Sequence, residues 1–162
     1  MKSIILIFIL FGAFSCFAQP FTIDEKIKPT ELKLTDFAGK SPKEKGRIAI
    51  VTVNQKDDSL YFFVKGISIY SPIMVYADSL NKQDKLQISL HKDLWTEVEK
   101  SGETDSDGFW SSTFKTGSDF GIKVSTAKKP VKYELFVWVG DEVKIDVPTP
   151  FKKRKPAKGE KK

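Results

Sequence analysis

Between Ile48 and Val147 the apolar residues come in short runs, and no stretch spaces them as an amphipathic helix would. In 85–90 (KLQISL), Leu86, Ile88 and Leu90 share one face, and Lys85, Gln87 and Ser89 share the other. In 131–139 (VKYELFVWV), Val131, Tyr133, Leu135, Val137 and Val139 point one way, while Lys132, Glu134, Phe136 and Trp138 point the other. That period of two belongs to a strand, whose successive side chains project to opposite faces of a sheet. Residues 47–53, 59–65, 73–77, 109–115 and 119–125 also read as strands, and 142–147 offers a last edge strand. Residues 94–100 (LWTEVEK) fit either a strand or one short helix. Turn-formers punctuate the runs at Asn54 to Asp58, Gly66, Asn81 to Asp84, Gly102 to Gly108, Gly117, Lys128 to Pro130 and Gly140–Asp141. The pattern predicts an all-β fold: one antiparallel β-sandwich, jelly-roll or Ig-like, of seven or eight short strands over 47–147. Residues 19–46, with Pro29 and Pro42, read as an N-terminal extension or a first strand wrapping onto it.

The first eighteen residues follow another pattern. Lys2 precedes an uncharged run from Ile4 to Phe14, broken only by Gly12, and Ser15, Cys16 and Ala18 follow. This predicts a secretory signal peptide cleaved after Ala18, and hence a periplasmic or secreted protein. The run is far short of the roughly 20 residues that a membrane-spanning helix needs, which argues against an uncleaved anchor. A lipoprotein anchored through Cys16 is the other alternative. Cleavage after Ala18 removes the single cysteine, and with it any disulfide or thiol chemistry.

Charge alters the picture at the other end. The 162 residues include 27 Lys or Arg and 21 Asp or Glu. One Lys precedes residue 19, and seven Lys or Arg with one Glu lie in 151–162 (FKKRKPAKGEKK), leaving 19 positive and 20 negative residues in the body. The basic character therefore describes a terminal segment, and a nucleic-acid-binding groove is not expected on the domain. Residues 148–162 read as a flexible Lys-rich tail, because 151–162 offers little apolar surface to bury. Lys152, Lys153, Arg154, Lys155 and Lys158 would tether it electrostatically to an envelope protein or to an anionic surface such as lipopolysaccharide.

Candidate chemistry is sparse. One His and one Cys exclude most His-cluster metal sites, zinc fingers and disulfide frameworks. Any Ser-His-Asp arrangement has to pass through His91, with Asp93 two residues on, yet no G-x-S-x-G elbow occurs and His91 reads as a surface or turn residue. Asp105 and Asp107, followed by Gly108, could offer oxygen ligands to calcium around a tight turn, the one cofactor considered. The ordinary alternative is a solvated acidic hairpin loop. The aromatics offer a binding surface. Phe109 and Trp110 fall on opposite faces of their strand, so one is expected to meet solvent. Phe136 and Trp138 are core if both faces of their strand are covered, the expectation for a sandwich of this size. Otherwise Trp110, Trp138 and Phe136 form an aromatic surface suited to a protein partner or a glycan.

One resemblance rests on the strands themselves. Ser59-Leu60-Tyr61-Phe62-Phe63-Val64 would open it, followed by Leu86-Gln87-Ile88-Ser89-Leu90. Gly117-Ser118-Asp119-Phe120-Gly121-Ile122-Lys123-Val124 and Lys132-Tyr133-Glu134-Leu135-Phe136-Val137 would close it. Residues 59–139 thereby resemble the bacterial pre-peptidase C-terminal domains, small β-sandwiches on secreted proteins. The Asp-Leu-x-Leu strand of that family is only approximated by Asp93-Leu94-Trp95, and no peptidase is attached. The resemblance implies a free-standing accessory module. Together these observations predict a non-enzymatic envelope module that binds a protein partner. The alternatives are a carbohydrate- or calcium-dependent adhesion module and a small secreted hydrolase.

Overall fold

A computed structural model describes residues 27–41 and 44–143. The expected signal peptide, Cys16 and the expected Lys-rich tail lie outside them. Ten strands follow in order: β1 (Thr30–Glu31), β2 (Thr35–Phe37), β3 (Gly46–Gln55), β4 (Ser59–Val64), β5 (Ile73–Ser79), β6 (Gln87–His91), β7 (Lys100–Glu103), β8 (Phe109–Phe114), β9 (Phe120–Ser125) and β10 (Val131–Gly140). They form two five-stranded sheets, β1-β4-β9-β6-β7 and β2-β3-β10-β5-β8. Every pairing is antiparallel except that of β1 with β4. The chain is an all-β sandwich.

The alternation read in the sequence builds the core. Val131, Tyr133, Leu135, Val137 and Val139 of β10 are all buried, beside Ile73, Val75 and Ala77 of β5. Across from them the first sheet contributes Phe62 and Val64, Ile88 and Leu90, and Phe120, Ile122 and Val124 to the same cluster. Each large aliphatic or aromatic side chain removed from water stabilises the fold by about 1.5–3 kcal/mol. One polar link also ties the sheets together: Gln55 Nε2 on β3 donates to the Val124 carbonyl of β9 at 3.2 Å.

The edges depart from the expectation. Residues 27–41 supply one short strand to each sheet, so this segment spans both layers. Residues 100–103 (KSGE), which the turn-formers from Gly102 onward place in a break between strands, form β7 because their backbone pairs with β6. Residues 94–100 adopt neither a helix nor a strand before β7 begins. They belong to a loop that sets Trp95 against the first sheet, at 4.9 Å in a T-shaped pair with Tyr61. Gly121 makes room for it, since a Cβ there would stand 2.5 Å from Trp95 Cη2. Glu142 and Val143 are not in a strand, and 144–147 lie outside the described residues.

Candidate functional site

The outer face of the second sheet carries the candidate site. β10 is its central strand, and the residues that alternate with its core positions are Lys132, Glu134, Phe136 and Trp138. Phe136 stands between Ile50 of β3 and Tyr76 of β5. Trp138 stands between Ile48 of β3 and Met74 of β5. The Tyr76 ring lies 5.3 Å from Phe136 and 5.5 Å from Phe109 of β8, inclined to them by 52° and 38°. The Tyr76 hydroxyl donates to Met74 Sδ. Two aliphatic-aromatic rows thus cross the sheet: Ile50, Phe136, Tyr76 with Phe109, and Ile48, Trp138, Met74. Ile50 is 59% exposed and Phe109 39%, while Phe136, Trp138, Tyr76 and Met74 are half-buried by one another. The expectation that Phe136 and Trp138 belong to the core is corrected. Among the described residues their face is the outer face of the sheet, covered only by lateral neighbours.

Beside this face, along β8, runs a groove of about 550 Å³ lined by Pro72, Met74, Trp138, Lys92, Lys100 and Lys115 among others. Trp138 and Met74 belong both to the apolar rows and to the groove wall. Lys92 Nζ pairs with Glu99 at 3.0 Å, and Lys100 Nζ donates to the Thr113 carbonyl at 2.6 Å. Lys115 is exposed, and its ammonium makes no hydrogen bond or ion pair within the described residues.

Trp110 is not part of this surface. It pairs in register with buried Ala77, so it points to the inner side of β8, half-buried against the core. Gly102 of β7 lies beneath its indole, where any Cβ would overlap Nε1. Trp110 thus closes the side of the sandwich where the two sheets meet. Its strand neighbour Phe109 takes the outer position.

Asp105 acts on its own turn. Its Oδ1 accepts from the backbone N–H groups of Asp107 at 2.9 Å and Phe109 at 3.0 Å. Chiefly the Phe109 N–H, with that of Asp107, holds the carboxyl below the ordinary carboxylate range. Asp107 instead pairs with Lys82 at 3.3 Å. The two carboxylates are therefore engaged separately, and no group of three His, Cys, Asp or Glu is gathered among the described residues.

His91 is buried, at 1% exposure, where the sequence suggested a surface or turn position. The loop bearing Trp95 encloses it, with the two rings 5.3 Å apart. Its Nδ1 is 2.8 Å from the Glu97 carbonyl, and its Nε2 is 2.8 Å from Ser89 Oγ. The carbonyl can only accept, so Nδ1 carries the hydrogen and Nε2 accepts from the serine. Burial keeps the imidazole below its ordinary pKa, and the nearby Lys123 charge acts in the same direction. Asp93 takes no part, because Glu97 occupies the nitrogen that a catalytic carboxylate would orient.

The site residues that the sequence left unnoticed are Ile48, Ile50, Met74, Tyr76 and the three groove lysines. Alternation marked Phe136 and Trp138 as sharing a face. Only the cross-strand register reveals which neighbours complete it.

Compared by sequence, the chain matches no family model and no curated protein. Compared by structure, it is similar to Aeromonas hydrophila PliG, a periplasmic inhibitor of g-type lysozyme (13% identity, 70% of this chain and 96% of that one, TM-score 0.45). It is also similar to the pre-peptidase C-terminal domain of a Bacillus anthracis collagenase (13% identity, 68% and 95%, TM-score 0.46). A third similar structure is Salmonella Typhimurium PliG (12% identity, 69% and 97%, TM-score 0.35). The collagenase domain belongs to the family that residues 59–139 resemble.

Proposed function

We propose that this chain is a non-enzymatic binding module of the cell envelope that docks a protein partner on the outer face of its second sheet. The carrying observation is the pair of apolar rows across β3, β10, β5 and β8, with Ile50 at their exposed end. A solvent face that gathers aromatic and aliphatic side chains in one contiguous set is characteristic of an interaction surface, whereas single exposed apolar residues are not. Ring inclination favours a protein over a glycan. The 38° and 52° tilts around Tyr76 make a corrugated surface suited to interdigitating side chains, without a flat platform for a sugar ring. The Lys-rich segment 151–162 adds long-range attraction that salt weakens.

Affinity capture from the native envelope tests this reading. The wild-type chain, a chain lacking 151–162 and Ile50→Asp are compared. A stoichiometric protein retained by the first two and lost by Ile50→Asp supports docking on the face. Retention that depends only on 151–162 makes that segment the binding element and overturns the reading, as does equal capture by Ile50→Asp. Purified g-type lysozyme is titrated in parallel, and binding that survives Ile50→Asp would place its recognition elsewhere on the molecule.

A further inference from the structure

We infer that the groove beside β8 receives an acidic, extended segment of the protein partner, its carboxylates meeting Lys92, Lys100 and Lys115 and an apolar side chain lying on Trp138 and Met74. This rests on the reading that the second sheet's outer face is the docking surface. The groove continues that face without a break, because Trp138 and Met74 line both.

Its lining combines two chemistries. Pro72, Met74 and Trp138 are apolar, whereas Lys92, Lys100 and Lys115 oppose the single carboxylate of Glu99. An ammonium has three N–H donors. Lys92 directs one contact to Glu99 and Lys100 one to the Thr113 carbonyl, so each keeps donors for a ligand. Those existing contacts also hold the long side chains in place, which lowers the ordering cost of binding. Lys115 is exposed at the rim. Apolar and cationic groups gathered in one groove fit a ligand that alternates apolar and anionic groups, as an acidic peptide does. The Lys100 contact occupies a carbonyl of β8, so side chains rather than an added strand would supply the recognition.

The test uses the full-length chain and a fluorescein-labelled twelve-residue peptide of alternating Leu and Glu or Asp, with a Gln and Asn counterpart as control. Anisotropy is read for wild type, for the triple variant Lys92→Gln, Lys100→Gln, Lys115→Gln, and for Lys152→Gln, Lys153→Gln, Lys155→Gln. Loss of three partly exposed charge pairs predicts about tenfold weaker binding for the groove variant and little change for the tail variant. Isotope-labelled protein should show the Trp138 indole signal shifting, with the Trp95 and Trp110 signals unmoved. Equal binding by the groove variant, a loss confined to the tail variant, or an unmoved Trp138 signal would overturn the inference. So would binding of polygalacturonate at this groove in preference to the peptide, which would make the ligand a glycan. Unchanged melting of the groove variant guards against a folding defect. Envelope capture separates the two levels. A partner lost by Ile50→Asp but kept by the groove variant removes this inference alone, and a partner kept by both removes the face reading as well.

Discussion

The Tyr133 hydroxyl donates to Gln55 Oε1 at 2.9 Å, with both side chains wholly excluded from water. Gln55 passes the link onward, its Nε2 donating to the carbonyls of Asp57 and Val124. Removing one partner of a buried hydrogen bond strands the other, a penalty of about 1–3 kcal/mol. Tyr133→Phe therefore lowers stability by that amount although it retains the ring. Chemical denaturation of the variant measures it. Burial also raises the Tyr133 pKa far above the ordinary phenol value. The unfolded chain then loses this proton first, so this contribution to stability is intact below about pH 10 and declines as pH rises beyond it.

His91 gives the opposite slope. Its folded pKa lies below the ordinary value near 6.5, because burial disfavours the cation. Between the two values the unfolded state binds a proton that the folded state does not, so stability rises with pH there. The contribution is complete above about pH 6.5 and is lost as pH falls toward the folded pKa. The chain has one histidine, so His91→Gln should abolish this dependence in thermal melts above the carboxylate range. An unchanged slope in the variant would refute the assignment.

Gly102 is the seat of Trp110. Gly102→Val would push the indole out of the space between β7 and β8. Overpacking of this kind costs about 1–3 kcal/mol. The expected signature is a red-shifted tryptophan emission together with a lower melting temperature. A variant with wild-type emission would show that Trp110 does not close that side.

Asp105 orders the turn between β7 and β8 through two backbone N–H groups. Asp105→Ala should lower the melting temperature equally with chelator and with millimolar calcium. A calcium-dependent rise in wild type that Asp105→Ala abolishes would instead support calcium binding at this turn.

Ile50→Asp exchanges a β-branched residue for a poor strand former, at a cost of about 1 kcal/mol. Its melting temperature should fall slightly while partner capture is lost. A large loss of stability would instead make Ile50 structural.

The fold was legible wherever chemistry alternates along a strand. The inward row of β10, Val131 to Val139, is the clearest case. β7 was hidden because Lys100, Ser101, Gly102 and Glu103 contain no apolar residue, and pairing with β6 makes them a strand. Period also groups residues by face without saying what covers that face. Alternation groups Phe136 and Trp138 on one face but leaves open whether that face is core or surface. His91 was misread because its burial depends on where a loop eight residues long lays Trp95. The site was half visible. Its aromatics are conspicuous, but Ile50, Tyr76 and Lys115 join them only through pairing and folding across sequence distance.

Strand order has a consequence in time. The middle strands of the two sheets, β9 and β10, are the last two among the described residues. Until residue 140 has been synthesised, β3 and β5 have no strand to join them, and β4 and β6 lack theirs until β9 is made. Neither sheet can therefore be completed before β9 and β10 are made, and both then close through long-range pairings, which fold slowly. The two keystones arrive late, so β2 with β3, β5 with β8 and β6 with β7 can pair only as separate fragments until then.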